Sequence, residues 1–232
     1  HETLPEILRR FRYRSGGFFT RAVFFIDRAR FEPYLRTGYG FDLARIEYET
    51  PASERVAQTI EFLEKQRAEK RLALTWTHFF EPHEPYDPAC TRFGSSDEQR
   101  YDCEIAAVDE ALGALFAWLD AELPDAIVVL FADHGEEFGD HGGRYHGTTL
   151  YDEQVRVPLA IRVPGVAPGT VPEPVGLVDL VGTLLSLLEL PVPARVRSRD
   201  LSPLIAGARA PDHAAFAEGE GSLMVVRGGL KL

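Results

Sequence analysis

Apolar residues along the chain follow two patterns, short continuous runs and helical repeats, and the two alternate. Continuous runs favour buried strands, whereas apolar residues three and four positions apart favour one face of a helix. The continuous runs predict strands at residues 72–77, 126–132 and 157–163. Helical repeats follow start signals at Thr3, Pro51, Ser95 and Asp179. This alternation indicates an α/β fold with a mostly parallel sheet flanked by helices.

The run AIVVLFA at residues 126–132 is the strongest strand signal in the chain. It does not alternate with polar residues, so we expect both of its faces to be buried, as in the middle of a parallel sheet. Residues 18–26 predict a strand and a loop, and residues 27–50 an irregular segment. From residue 214 onward, short runs around a Gly228-Gly229 turn predict two or three short antiparallel strands.

Two helix starts carry capping boxes, in which a hydroxyl residue and an acidic residue three positions later satisfy backbone N–H groups. The pairs are Thr3 with Glu6 and Ser95 with Glu98. The helix after Ser95 is predicted to bury one apolar face, formed by Ile105, Val108, Leu112, Leu115 and Leu119. The acidic residues at 102–104 are predicted to lie on its solvated face.

Composition and charge narrow the possible partners. The 232 residues are 45% hydrophobic and 26% charged, which is typical of one large domain with a substantial core. Lysine and arginine total 25 against 36 aspartate and glutamate, a formal net charge of -11. We therefore expect no nucleic-acid partner, since binding phosphate backbones needs clustered cations. A small anionic substrate is compatible, because a metal ion or a few histidines can reverse the local field.

The two cysteines and the start of the chain give weaker signals. Cys90 and Cys103 match no zinc spacing and are too few for a disulfide framework; one bridge between them is possible, so the redox compartment stays undetermined. No apolar run reaches the length of a membrane span, and no signal peptide is recognisable. Because the chain begins at His1 and contains one methionine, we expect it to be a piece of a longer protein.

Histidines are concentrated in two loops that each follow a predicted strand. One loop follows residues 72–77 and the other follows residues 126–132. The histidines in them are His78, His83, His134, His141 and His146. In open α/β sheets, ligands bind beyond the carboxyl ends of the strands. We therefore expect these two loops to carry the functional site.

Asp133 and His134 directly follow the strongest strand and are predicted metal ligands. Carboxylate and imidazole together suit a divalent ion and leave positions open for water or a substrate oxygen. Gly135 would allow the sharp turn that this arrangement needs. The alternative interpretation is that Asp133 caps backbone N–H groups and His134 is merely exposed.

His83 and His146 are the candidates for contact with a substrate anion. His83 lies between Pro82 and Pro85, and a protonated imidazole held there could clamp a substrate oxygen or protonate a leaving group. The alternative is that His83 hydrogen-bonds a loop carbonyl. Hydrogen-bonding roles that shape the loop are expected for two further residues, Glu136 and His141.

The motifs resemble those of the sulfatase family within the alkaline-phosphatase superfamily. FADHGEEFGDHG at residues 131–142 resembles the family signature, and so does THFFEPHEPYDP at residues 77–88. YDCEIAAVD at residues 101–109 resembles the helix between them, although Cys103 stands where small residues are usual. The matches run in the family's order from His1 almost to the end of the chain.

The resemblance implies an alkaline-phosphatase-like sandwich, with residues 1–195 as the α/β core and residues 196–232 as the start of a C-terminal strand region. It implies one divalent ion (calcium, manganese or zinc) on Asp133 and His134. His83 and His146 would contact the sulfate or phosphate group, and many relatives have lysine at the position of His146. The substrate would be a small anionic ester, and the parent protein would be a sulfuric ester hydrolase.

The chain departs from the family pattern in one respect. The family's earlier strand supplies further aspartate ligands and a nucleophile, either a formylglycine made from a Cys-x-Pro-x-Arg motif or a serine or threonine. The sequence contains no such motif. We therefore expect the N-terminal strands to be missing and a preceding segment of the same protein to be a partner. Phosphodiester or phosphonate monoester hydrolysis, phosphoglycerol or phosphoethanolamine transfer, and a non-catalytic truncated relative remain as alternatives.

Overall fold

The computed structural model describes residues 2–20, 32, 36–47, 50–210, 212–219 and 221–232. The chain divides into two compact units, His1–Pro124 and Asp125–Leu232. Most of the predicted loop at 18–26 and part of the predicted irregular segment at 27–50 lie outside the described residues. The predicted boundary at residue 195 stays a prediction.

The first unit contains a three-stranded parallel sheet. Its strands are β1 (Arg14–Phe19), β2 (Leu43–Ile46) and β3 (Ala73–Thr77), in the order β2-β1-β3. Both pairs are parallel, as the alternation of helices and strands predicts. β2 falls within residues 27–50, so the expectation of irregular structure there is wrong at β2. β2 has only four residues, and an apolar pattern of this length does not identify a strand from sequence alone.

The helices on the described part of the first unit include α1 (Leu4–Arg9), α2 (Ala52–Ala68) and α3 (Asp97–Glu122). α2 packs on the sheet, where Phe62 meets Phe18 edge to face at 6.1 Å between ring centroids. The capping box of α1 is confirmed, since the Glu6 carboxylate accepts the Thr3 N–H at 2.7 Å. The capping box of α3 uses Ser96 and Gln99, one residue later than predicted.

The buried face of α3 is only partly the predicted one. Leu112, Leu115 and Leu119 are buried as expected. Ile105 is 43% exposed, and Glu104, predicted to face solvent, is only 6% exposed. The apolar pattern misses this because the first turns of α3 face a polar loop of the same unit, where a carboxylate finds backbone N–H partners.

The second unit begins with β4 (Val128–Phe131), which pairs only with β5 (Leu159–Arg162) among the residues described. The pairing is antiparallel, and Leu130 is 38% exposed. The prediction of a strand buried on both faces within a parallel sheet is therefore wrong for this part of the chain. A continuous apolar run reports a tendency to be buried, but it carries no information about the direction of the neighbouring strand.

The rest of the second unit is short helices and a meander. The helices are α4 (Asp152–Val155), α5 (Leu180–Leu187) and α6 (Ser202–Ile205). β6 (Ala214–Gly219), β7 (Ser222–Arg227) and β8 (Leu230–Lys231) form an antiparallel sheet in chain order. The Gly228-Gly229 turn joins β7 to β8 with positive φ at both glycines, which confirms the predicted hairpin. Within the described residues, no helix is long and apolar enough to span a membrane.

Candidate functional site

Asp133 and His134 lie just beyond the end of β4, as the sequence predicts. The Asp133 carboxylate accepts the His134 backbone N–H at 3.1 Å. Its Oδ1 lies 3.8 Å from His134 Nε2. Protein oxygens and nitrogens bind zinc at about 2.0–2.2 Å, so two ligands of one ion lie at most roughly 4.3 Å apart. The two side chains therefore already have a separation that one ion can bridge.

The His134 ring is held by a backbone carbonyl at one of its two nitrogens. Its Nδ1 lies 2.9 Å from the Gly135 carbonyl oxygen. A carbonyl only accepts, so Nδ1 carries the hydrogen and the neutral ring has its lone pair on Nε2. Nε2 is the nitrogen that faces Asp133. Backbone support of this kind on the non-ligating nitrogen is usual for metal-binding histidines, so the donor set fits a divalent ion.

His146 lies against His134 and is oriented by Glu136. The two imidazole rings stack at 3.8 Å between centroids with an interplanar angle of 19°. His146 Nδ1 lies 2.9 Å from Glu136 Oε1, and the Glu136 carboxylate is almost fully buried. Glu136 was expected to shape the loop by hydrogen bonding, and its bond to His146 confirms that expectation. The contact fixes the direction in which the opposite ring nitrogen, Nε2, points.

A buried carboxylate, Glu137, organises the loop that carries these residues. It is 1% exposed, and its Oε1 accepts the backbone N–H groups of His141 at 3.0 Å and Gly143 at 2.9 Å. Its Oε2 accepts the Gln154 amide at 3.0 Å. Burial raises the pKa of Glu137, but these hydrogen bonds outweigh burial and hold the pKa below its ordinary value.

Gln154 extends this network to the far end of the loop. Its Oε1 accepts the backbone N–H groups of Thr148 at 3.2 Å and Thr149 at 3.3 Å. The Glu137 backbone also pairs with Tyr145 in a two-way bridge of 3.0 and 2.9 Å. Hydrogen bonds from the buried side chains of Glu137 and Gln154 thus fix the loop from Asp133 to Thr149 and hold its histidines in place.

Gly135 matters for a different reason from the one predicted. Its φ does not lie in the left-handed region, so it is not required for the turn. A Cβ at this position would lie 2.1 Å from the Glu153 carbonyl oxygen. The Gly135 N–H also donates to the Gln154 carbonyl at 2.8 Å. Glycine is therefore needed because two backbones approach closely here.

The His141 ring contacts α4 and the residue that precedes this helix. Its ring stacks on Tyr151 at 3.7 Å, and its Nε2 lies 3.3 Å from Glu153 Oε2. Its backbone N–H donates to Glu137. These contacts agree with the expected role of His141 in shaping the loop.

His83 belongs to the first unit, on the loop that follows β3. Its ring stacks on Phe80 at 4.4 Å between centroids, and its Nδ1 lies 2.7 Å from the Glu84 carbonyl oxygen. The alternative interpretation, a hydrogen bond to a loop carbonyl, is therefore realised at Nδ1. This hydrogen bond fixes the plane of the His83 ring, so Nε2 is the nitrogen that is predicted to contact the substrate anion. His78 continues β3, and its N–H donates to the Phe18 carbonyl at 2.8 Å.

The structure thus brings three of the four predicted residues, Asp133, His134 and His146, together in the second unit. The fourth, His83, lies in the first unit. Sequence reasoning missed two buried polar residues, Glu137 and Gln154. No spacing rule could have found them, because a buried carboxylate and its amide partner look in sequence like any surface pair.

Comparisons with known proteins identify the family of the chain. The Sulfatase family model matches residues 1–190 of the chain. The ulvan-active sulfatase of Formosa agariphila is 35% identical over 113 residues, which cover 46% of this chain and 22% of that protein. The fold and the matched motifs together define a sulfatase-type α/β protein of the alkaline-phosphatase-like superfamily. The chain belongs to the sulfatase family.

Solved structures share the fold at low sequence identity. The structure of yidJ from Bacteroides fragilis has a TM-score of 0.76 at 17% identity and covers 98% of this chain and 66% of that chain. The phosphonate monoester hydrolase SpPMH from Silicibacter pomeroyi has a TM-score of 0.61 at 21% identity, with 92% and 63% covered. These likenesses concern the fold, and they confirm the expected sandwich class. The chain spans about a quarter of the length of the curated relatives it matches.

Proposed function

We propose that the protein hydrolyses small anionic sulfate esters in a metal-dependent reaction. The observation that carries the proposal is the group formed by Asp133, His134 and His146 at the end of β4. Membership of the sulfatase family supports the same reaction class. Sulfate rather than phosphate is proposed because the curated relatives that match are sulfatases.

Asp133 and His134 are the proposed ligands of one divalent ion, with calcium, manganese and zinc as candidates. An ion bound there would act as a Lewis acid on the ester and lower the pKa of a bound nucleophile. The distance of 3.8 Å between Asp133 Oδ1 and His134 Nε2 supports this assignment. So does the Gly135 carbonyl, which keeps the lone pair of the neutral ring on Nε2.

His146 is the proposed anion-binding group of the second unit. In its protonated form each ring nitrogen is a donor, so Nδ1–H can donate to Glu136 while Nε2–H donates to a sulfate oxygen. Glu136 holds the ring in this orientation. For His83 we propose the same kind of contact with the anion, or protonation of the leaving group, from its own loop. The sequence contains no Cys-x-Pro-x-Arg motif, so the nucleophile is not assigned to a residue of this chain.

The direct test is turnover by the protein as its native source makes it. Hydrolysis of 4-nitrophenyl sulfate would be compared with that of bis(4-nitrophenyl) phosphate and a phosphonate monoester, with and without a chelator. We expect the sulfate ester to be the best substrate and the chelator to abolish turnover. Faster hydrolysis of either phosphorus substrate would replace the proposed reaction with the related one. No turnover of any substrate by metal-loaded protein would favour a non-catalytic role.

The role of His146 gives a more specific prediction. We expect His146→Ala to raise KM for the sulfate ester, or to weaken inhibition by free sulfate, by about 10- to 100-fold, because one charge-assisted hydrogen bond is lost. The matched control is His141→Ala, in the same loop but turned toward Tyr151. If both variants bind sulfate as the unmodified protein does, His146 is not the anion-binding residue.

A further inference from the structure

The segment that carries His83 is fastened to α3 at three neighbouring positions of that helix. These positions are Tyr101, Cys103 and Glu104, and each meets a different part of the segment from His83 to Cys90. Cys103 and Glu104 are both buried. We call this set of three contacts the α3 brace.

The first contact is a buried carboxylate that receives two backbone N–H groups. Glu104 Oε1 accepts the Asp87 N–H at 2.5 Å, and the Glu104 carboxylate also accepts the N–H of His83. The two donors are four residues apart, so one side chain ties together the start and the end of the turn that contains the Glu84 carbonyl. Backbone N–H groups bonded to a carboxylate are strongly held.

The second and third contacts close the other end of the segment. Tyr86 is buried and meets Tyr101 edge to face at 5.9 Å between ring centroids. Cys90 and Cys103 form a disulfide, with their Cα atoms 5.7 Å apart. The Cys90 N–H donates to the Asp87 carbonyl at 3.0 Å, so the disulfide end and the Glu104 end are joined by one tight turn.

The brace bears on His83 because the ring takes its position from this segment. Its Nδ1 bonds the carbonyl of the next residue, Glu84, and its backbone N–H bonds Glu104. The ring also stacks on Phe80, and its Nδ1 lies 3.2 Å from the Glu84 carboxylate. A shift of the turn would therefore carry the imidazole with it.

We propose that the Cys90–Cys103 disulfide is a redox-sensitive closure of the α3 brace, and that Glu104 and this disulfide together position His83. The effect on turnover rests on the function proposed for His83; the brace itself does not. Cys90 and Cys103 are the chain's only cysteines, so no other thiol of the chain can exchange with the bond. A bond of this kind persists in oxidising compartments and opens in reducing ones.

Opening the brace is a two-electron reduction by a dithiol. The dithiol attacks one sulfur of the disulfide, which releases the other as a thiolate, and then closes to its own disulfide. Cys90 and Cys103 each gain one electron and one proton, and the dithiol loses two of each. The products are two thiols on the chain and one oxidised reductant.

Hydrogen exchange measured by mass spectrometry tests the brace without depending on activity. The full chain would be compared in its oxidised form, after dithiothreitol, and as Cys90→Ala/Cys103→Ala. We expect amides of residues 83–90 to exchange about tenfold faster in the second and third states, while those of β1, β3 and α2 are unchanged. Dithiothreitol should have no effect on the double variant.

Two outcomes would overturn the proposal. Unchanged exchange at residues 83–90 after reduction would show that the disulfide does not hold the segment. Faster exchange throughout the first unit would show a general staple and not a local brace. Glu104 provides the second variant: Glu104→Ala should release the same amides as reduction does, whereas Glu104→Gln keeps an acceptor oxygen and should release them less. Exchange at residues 83–90 that is unchanged by Glu104→Ala would remove Glu104 from the brace.

A kinetic measurement on active protein separates positioning from mere stability. Reduction should raise KM for the sulfate ester or lower kcat below the unfolding temperature, and reoxidation should restore the original value. Dithiothreitol should leave the turnover of Cys90→Ala/Cys103→Ala unchanged. If the oxidised protein has no turnover, the proposed function is contradicted. The hydrogen-exchange result then tests the brace by itself. Turnover that is unaffected by reduction would overturn the role of the brace in placing His83.

Discussion

At the scale of single residues, close approach of two backbones explains why Gly135 follows the predicted metal ligands. The Glu153 carbonyl lies where a Cβ would be, at 2.1 Å, and a backbone atom cannot move aside as a flexible side chain can. His134 depends on this contact, since its Nδ1 bonds the carbonyl of Gly135. The position of Gly135 and the orientation of His134 are therefore linked.

We predict that Gly135→Ala destabilises the protein by about 2 kcal/mol, because the added methyl forces the loop away from α4. The measurement is urea unfolding of the chain, followed by titration with a divalent ion, whose affinity should also fall. Gly169→Ala is the matched control in the same unit, since nothing lies within 4 Å of its Cβ position. Equal stability of both variants would show that the Glu153 carbonyl does not constrain this site.

The buried Glu137 carboxylate gives a prediction with a defined dependence on pH. Its pKa is lowered below the ordinary 4.5, because hydrogen bonds from His141, Gln154 and Gly143 outweigh the effect of burial. Its stabilising effect is therefore complete above the ordinary value and is lost as the pH falls through the folded-state pKa. Glu137→Gln should thus be less stable than the unmodified protein at neutral pH, and the difference should shrink on acidification.

The check on Glu137 is urea unfolding of both proteins from about pH 7 down to about pH 3. Glu218→Gln is the control, because Glu218 is an exposed residue of β6 in the same unit. A stability difference that stays constant with pH would contradict the assignment of an ionised, hydrogen-bonded carboxylate at Glu137.

At the scale of elements, α3 carries a buried carboxyl group, Glu104, whose pKa is raised, whereas the pKa of Glu137 is lowered. Burial raises the pKa of Glu104, and the charges of Glu81 and Asp87 add to this effect, while the N–H groups of Asp87 and His83 only partly offset it. A raised folded-state pKa means that the folded chain binds the proton more tightly. The Glu104 contribution to stability is therefore greatest at low pH and falls as the pH rises through the folded-state pKa.

We predict that Glu104→Gln gains stability relative to the unmodified protein as the pH rises from about 4 to about 8, since the variant has no carboxyl group to ionise. Unfolding curves at several pH values would measure the difference in the free energy of unfolding. Asp109→Asn, an exposed position of the same helix, should show no such trend. If the stability of Glu104→Gln relative to the unmodified protein fell as the pH rises, the pKa of Glu104 would be lowered in the folded chain and not raised.

At the scale of the whole molecule, the sequence predicted the α/β class, the parallel pairs of the first unit and the C-terminal meander. It placed Asp133 and His134 after β4 because that strand is marked by a continuous apolar run. It could not predict that β4 pairs antiparallel with β5, nor that Glu104 and Glu137 are buried. Those features depend on partners distant in sequence, and local periodicity contains no information about them.

The proposed function depends on one divalent ion that Asp133 and His134 bind in the loop after β4. The most direct measurement is calorimetric titration of the protein with Mn²⁺, alongside Asp133→Ala and His134→Ala. Asp140→Ala and His141→Ala, in the same loop, are the matched controls. We expect one ion per chain, with the Mn²⁺ affinity reduced at least roughly tenfold by either ligand substitution and unchanged in the controls. Unchanged Mn²⁺ affinity in both ligand variants would contradict it.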